Sequence, residues 1–199
     1  MPIEPVDQAG EVGDEPVVAS TDELSAAPGS LDPSFGALCL DTSARFTVAG
    51  AVRAQLLPDG KLLAAANVIA TDTGASELAL VRFLASGAVD TSFGSAGYVR
   101  TSFGDDTVYV SLEGLALAPD GKIVLAGSRD FIVVDAAGAR SQPTVIIAAR
   151  FTSNGALDPS FGTGGKAQAA VFGKTDRAAA LLVQPDGKVL IGGQARLNI

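Results

Sequence analysis

Leu157-Asp158-Pro159-Ser160-Phe161-Gly162 occurs three times in this chain with small variations, and this repetition predicts the fold. The two earlier copies are Leu31-Asp32-Pro33-Ser34-Phe35-Gly36 and Val89-Asp90-Thr91-Ser92-Phe93-Gly94. Each copy of this phrase is followed, about 30 residues later, by Pro-Asp-Gly-Lys at 58–61, 119–122 and 185–188. Self-similarity at a nearly fixed spacing indicates a repeat protein, and it outranks any local pattern.

The Pro-Asp-Gly turns separate short apolar stretches and so predict hairpins. Pro sets φ for the second position of a type I turn, and Gly accepts the left-handed φ that closes the loop. A third apolar strand is predicted at 78–83 and 146–151, and a fourth follows the phrase at 97–100 and 165–168. Four short antiparallel strands in roughly 60 residues are typical of one blade of a β-propeller.

The predicted fold class is therefore all-β, a β-propeller-like repeat of four-stranded antiparallel blades. Copies start near residues 31, 89 and 157, and the last stops before its third strand, which gives about two and three-quarter blades and an incomplete ring. Propellers usually close with about 4 to 8 blades. Two explanations stay open: the chain is a fragment of a larger protein, or two copies form a homo-oligomer that completes the ring.

The first 30 residues differ in composition from the repeats. They hold seven of the 22 acidic residues, four of the ten prolines and neither Lys nor Arg. Such a segment cannot bury enough apolar surface to offset the entropy of ordering it. We predict a disordered acidic leader over 1–30, followed by the propeller-like repeats over 31–199.

Composition also excludes several classes of function. The repeats carry 15 acidic and 14 basic residues, whereas nucleic-acid binding needs a basic face. No apolar run is long enough to insert into a membrane, and no signal peptide is visible. The chain has no histidine and one cysteine, Cys39, which removes Ser-His-Asp and Cys-His catalysis and histidine-ligated zinc. We expect no cofactor and no metal.

The repeated aspartates and arginines are the candidates for chemistry. Asp beside Pro or Gly usually bonds its own backbone in a turn, so we interpret the Asp of both phrases as structural rather than as cation ligands. Asp105-Asp106 is interpreted as part of a solvated loop. Arg82 and Arg150 could face an anionic substrate, as in propeller hydrolases, but their recurrence at one strand position favours an architectural role. No catalytic residue is predicted.

One segment breaks the repeat. The link from 129 to 143 is longer than its counterpart at 67–77, and extra residues on one face of a repeat array often carry binding specificity. The predicted binding residues are Asp130, Asp135, Arg140 and Gln142.

In the combination L-D-x-S-F-G, G-x-V, Q-P-D-G-K and A-R-F, the chain resembles the bacterial delta-60 repeat, a propeller-type repeat of unassigned function. The resemblance covers roughly 31–199 and is best at 157–193, followed by 89–127. It implies a location outside the cell or at its surface, and it supplies no catalytic residues. The first copy departs from the pattern at Cys39 and at Phe46-Thr47.

Together these observations predict a non-catalytic structural or protein-interaction scaffold. A module that binds carbohydrate or another surface ligand is the first alternative, and a degenerate propeller hydrolase is the second. The absence of Trp argues against a carbohydrate platform, and the absence of an asymmetric carboxylate cluster argues against an active site. The ligand itself is not predicted.

Overall fold

The computed structural model describes residues 46–104, 107–172 and 175–196, which form twelve strands and no helix. The strands are β1 (Phe46–Leu56), β2 (Leu62–Ala70), β3 (Ser76–Phe83), β4 (Tyr98–Thr101), β5 (Thr107–Leu117), β6 (Ile123–Phe131), β7 (Val133–Val134), β8 (Arg140–Ser141), β9 (Thr144–Phe151), β10 (Lys166–Ala169), β11 (Thr175–Val183) and β12 (Val189–Arg196). The all-β prediction is confirmed. The predicted leader, the first phrase, Cys39 and Asp105-Asp106 lie outside the described residues.

The strands form blades of the predicted kind. The first blade is the antiparallel sheet β1-β2-β3-β4, and the second is β5-β6-β9-β10. The third blade is represented in the described residues by the hairpin β11-β12. Thr175 and Thr144 make a single parallel pair that joins the second and third sheets. Each first-to-second strand connection is a Pro-Asp-Gly turn, and its glycine has the expected left-handed φ, +80° at Gly60 and Gly121.

The sheets do not begin at the same residues as the sequence copies. The strand after each phrase pairs with the third strand before it, as Tyr98 does with Val81 and Lys166 with Ala149. The phrase therefore connects the third and fourth strands of one blade, so that each blade begins one strand after its sequence copy.

The core lies between the first and second blades. Leu63, Leu80 and Phe93 of the first blade form one buried cluster with Leu125 and Phe151 of the second. β5 contacts both β1 and β11, so the first strands of the three sheets lie side by side, as at the axis of a propeller. Phe93 and Phe151 are buried in this cluster, and Phe103 and Phe131 pack against it. Phe46 and Phe83 belong to a second buried cluster within the first blade, and Phe172 is 52% exposed.

Gly127 and Gly193, on the second strands of the second and third blades, each lie against a bulge in the first strand of the same sheet. β5 has a bulge between Leu112 and Gly114, and β11 has one between Ala178 and Ala180. A Cβ atom on Gly127 would overlap the carbonyl oxygen of Ser111 on the bulged strand. The close approach that requires glycine is therefore made by the partner strand of the same blade.

Candidate functional site

Each complete blade contains one Arg-Lys-Asp cluster, formed in the first blade by Lys61, Arg82 and Asp90. Arg82 Nε donates to Asp90 Oδ2 at 2.8 Å, and Lys61 Nζ lies 3.0 Å from the same oxygen. The arginine comes from the third strand, the lysine from the Pro-Asp-Gly-Lys turn and the aspartate from the phrase. The cluster thus ties three separate parts of one blade together.

The second blade repeats this cluster with Lys122, Arg150 and Asp158. Arg150 Nε donates to Asp158 Oδ2 at 2.8 Å, while Lys122 Nζ lies farther away, at 3.6 Å. A lysine that follows a turn is usually solvated. Lys61 and Lys122 are different, because each one pairs with a buried aspartate, whereas the side chain of Lys188 is 75% exposed.

The second carboxylate oxygen of each phrase Asp closes the turn that the sequence predicted. Asp90 Oδ1 accepts hydrogen bonds from Ser92 N at 3.1 Å and from Ser92 Oγ at 2.5 Å. The guanidinium of Arg82 also lies over the ring of Phe93, 4.6 Å from its centroid, which is a cation–π contact. These bonds fit the architectural role that recurrence predicted for Arg82 and Arg150.

The same hydrogen bonds stabilise the charged form of the phrase aspartates. Those from Ser160 hold the pKa of Asp158 at about 2, with Arg150 adding to the effect. Those from Ser92, aided by Lys61 and Arg82, hold the pKa of Asp90 well below its usual range. Both groups are therefore poor general acids or bases near neutral pH, since each remains ionised.

These lowered pKa values predict loss of stability in acid. A carboxyl whose folded pKa lies below its unfolded value stabilises the protein above the unfolded pKa, and this contribution disappears as the pH falls through the folded pKa. For Asp158 the window runs from about 4 down to about 2. We expect the free energy of unfolding to fall across this range. Urea titrations at successive pH values would measure the fall, and Asp158→Asn should make it shallower; an unchanged slope would contradict the assignment.

The first cluster also connects the two complete blades. Arg82 Nη1 donates to the carbonyl oxygen of Ser153 in the second blade at 2.7 Å, and Gly94 N donates to Asn154 O at 2.9 Å. Arg150 donates to Asp158 and Ser160 of the second blade, as Arg82 does to Asp90 and Ser92 of the first blade. The described residues contain no third-blade segment equivalent to the turn at Ser153.

Of the predicted binding residues, Asp130 lies in β6, whereas Asp135, Arg140 and Gln142 lie on the extension that contains the short hairpin β7-β8. Asp130 accepts from Thr144 Oγ1 at 2.6 Å, and Asp135 accepts from Ala137 N and Ala139 N, so both carboxylates are used inside the fold. Arg140 and Gln142 are exposed. A binding role for the four residues stays a prediction.

A groove of about 520 Å³ lies between the second and third blades, and sequence reasoning missed it. One wall includes Ala148, Arg150, Phe161 and Ala167, and the other is residues 186–191. Between the first two blades, β9 fills the equivalent space. No local signal in the sequence marks the groove, because its walls come from segments that are far apart in the chain. In the part of the chain that the structure describes, no group of acidic, His or Cys residues could hold a metal ion, and no helix could cross a membrane.

Comparison with known proteins agrees with this architecture. Residues 57–93 and 118–161 match a family described as a β-propeller domain of unknown function, DUF5122. Both matches run from a Pro-Asp-Gly turn, through the second and third strands, to the phrase. No curated protein and no solved structure matches the chain. The sheets and the family match together show that the chain is built from propeller-type repeats.

Proposed function

We propose that this chain is a non-catalytic scaffold, structural or protein-binding, built from propeller-type repeats. The observation that carries the proposal is that the charged groups of the Arg-Lys-Asp clusters are bonded to one another within each blade. Asp90 and Asp158 are 5% and 4% exposed, and each is bonded to a serine, an arginine and a lysine of its own blade. Groups held in this way keep a blade together, and they occur in the same arrangement twice, whereas an active site needs a unique arrangement.

Among the described residues, the second blade has an extension, β7-β8, that the first blade lacks. Its side chains at Ile132, Val133 and Val134 are between 41% and 55% exposed, beside the exposed Arg140 and Gln142. Exposed apolar side chains with a polar rim are typical of protein-binding surfaces. This supports a protein as the partner. We also keep as proposals the delta-60 identity of the repeats and the surface or extracellular location that it implies.

A substrate panel with matched variants tests the scaffold proposal. We expect neither the wild type nor Arg150→Lys to turn over chromogenic glycosides, esters or polyuronates. We also expect Arg150→Lys and Arg82→Lys to lower the urea midpoint in the same direction, because lysine keeps the charge but loses the fork of donors. Turnover by the wild type that Arg150→Lys abolishes would contradict the proposal and favour the degenerate hydrolase.

A further inference from the structure

A pocket of about 560 Å³, here named the Lys166 pocket, lies between the first and second blades at the outermost strand β10. It is lined by Phe103, Gly162, Thr163, Lys166, Ala167 and Gln168. Lys166 pairs across the sheet with Ala149, which is buried in the core between these two blades. Paired residues share a face of the sheet, and so do alternate residues of one strand. Lys166 and Gln168 therefore project toward the first blade, and the pocket belongs to two blades whose four strands are all described.

The lysine at position 166 breaks the symmetry of the repeat. Its counterpart is Tyr98, since each of the two residues opens the fourth strand of its blade. Tyr98 packs edge-on against Phe46, with 6.0 Å between the ring centroids, and lies against an apolar cluster. Lys166 Nζ instead lies 5.8 Å from the centroid of the Phe103 ring and donates to Ser102 O at 2.7 Å. The second blade thus has a cation where the first blade has an aromatic ring.

This cation retains hydrogen-bonding capacity for a ligand. An ammonium group has three donors, and Ser102 O accepts from one of them. Within the described residues no carboxylate forms an ion pair with Lys166, whereas the lysine of each Pro-Asp-Gly-Lys turn pairs with an aspartate. Burial raises the pKa of Glu77, and the charges of Arg100 and Lys166 oppose that rise. The ion pair of Glu77 is made with Arg100, whose Nε lies 3.6 Å from Glu77 Oε2.

The other groups of the pocket suit a ligand that carries hydroxyl groups as well as a negative charge. Thr163 and Gln168 are exposed in its wall, and their hydroxyl and amide groups both donate and accept hydrogen bonds. Phe103 and Ala167 add apolar surface. Pockets that bind small molecules usually have volumes of about 300 to 1,000 Å³, and this one lies within that range.

We propose that the Lys166 pocket binds an acidic sugar, with the sugar carboxylate on Lys166 and its hydroxyl groups on Thr163 and Gln168. A uronic acid combines one carboxylate, several hydroxyl groups and an apolar ring face, so it uses every kind of group in the pocket. An inorganic anion uses the ammonium group but leaves the apolar surface without a partner. A hydrogen bond to a charged group is stronger than one between neutral groups, so the carboxylate sets the preference for acidic over neutral sugars.

The probe is digalacturonic acid, titrated into the isotope-labelled full chain and followed by NMR. We expect saturable shifts of the backbone amides of Ser102, Phe103 and residues 163–168, and no shifts in the β7-β8 hairpin. Lys166→Gln removes the charge and should weaken binding at least about tenfold, as loss of a hydrogen bond to a charged group usually does. The matched control is Lys188→Gln, which makes the same change in net charge at a side chain that is 75% exposed outside the pocket. It should leave the affinity unchanged.

A second variant keeps the test decisive if Lys166→Gln does not fold. Gln168→Glu changes an exposed side chain of the same size and places a carboxylate beside that of the ligand. We expect it to weaken the binding of digalacturonic acid about threefold, the effect of one exposed charge pair. An unchanged affinity in this variant would contradict the placement of the ligand carboxylate.

Two further ligands identify the source of the negative charge. Galactobiose, the neutral counterpart of the probe, should bind at least about tenfold more weakly, and so should inorganic phosphate, which has no apolar face. The proposal is overturned if no saturable shift occurs, if Lys166→Gln binds as well as the wild type, or if galactobiose or phosphate binds as tightly as the acid. The inference goes beyond the scaffold proposal and does not rest on it. Absence of binding removes the Lys166 pocket alone, whereas turnover in the substrate panel removes the scaffold proposal alone.

Discussion

Asp90→Asn should lower the free energy of unfolding by about 3 kcal/mol, because it leaves Arg82 buried without its counter-ion. Asp90 is 5% exposed, and the Arg82 side chain is 11% exposed. Removing one partner of a buried ion pair usually lowers the free energy of unfolding by about 3 to 5 kcal/mol. We expect the lower value here because Lys61, at the edge of the cluster, is partly exposed to solvent. The Asp90 carboxylate accepts hydrogen bonds through both of its oxygens, whereas the Asn side chain can accept hydrogen bonds through its single oxygen only.

Urea unfolding followed by circular dichroism measures this loss, provided that the dependence on urea keeps its slope. The matched control is Asp186→Asn in the third blade. Asp186 lies in the Pro-Asp-Gly turn and pairs with Lys188, but its side chain is 51% exposed, so its loss should leave the midpoint nearly unchanged. Equal losses in the two variants would show that the turn, and not the buried cluster, is what matters at these positions.

Much of the fold could be predicted from local chemistry repeated at a fixed spacing. The Pro-Asp-Gly turns demand a left-handed glycine, and Gly60 and Gly121 have it. The third strands read as apolar throughout because both of their faces are covered, and β3 and β9 are buried along most of their length. Such features depend on the residues of one short segment, so a single sequence reveals them.

The strand at which each blade begins could not be predicted in this way. Nothing local says whether the strand at 98–101 pairs with the third strand before it or begins the sheet that follows, because either pairing gives four strands in each blade. The pairing of this strand depends on which strand the phrase lies beside in the fold. In the structure Asp90 N donates to Arg82 O at 2.8 Å, which holds the phrase beside the preceding strand.

The ion pairs of the clusters were missed for a related reason. Lys61 and Asp90 lie in different phrases, and each has a satisfactory local explanation, as a solvated charge and as a turn residue. Their meeting at 3.0 Å is a consequence of the blade's topology. The same holds for the groove between the second and third blades, whose walls come from β9, β10 and β12. Long-range geometry of this kind becomes visible once the register of the strands is known.

Gly127→Ala should destabilise the chain by about 3 kcal/mol, although Ala is the smallest possible addition. The carbonyl oxygen of Ser111 occupies the place of the new Cβ, and it cannot retreat without undoing the bulge between Leu112 and Gly114. Overpacking usually costs about 1 to 3 kcal/mol, and a clash with a backbone atom belongs at the upper end because no rotamer change can relieve it. The first blade accepts Ala66 here because the irregularity of β1 lies between Val48 and Val52, where the backbone takes a different path.

Gly192→Ala is the control for this substitution. The nearest atom to its added Cβ would be that of Ala180 at 3.9 Å, and the second blade already has Ala126 at the equivalent position. We expect a change within about 0.5 kcal/mol, measured by urea unfolding beside Gly127→Ala. If both alanines cost the same, the loss reflects the general effect of replacing glycine in a strand. A large loss at Gly127 alone would locate the strain at the bulge, and hydrogen exchange should then show the amides of β5 and β6 opening first.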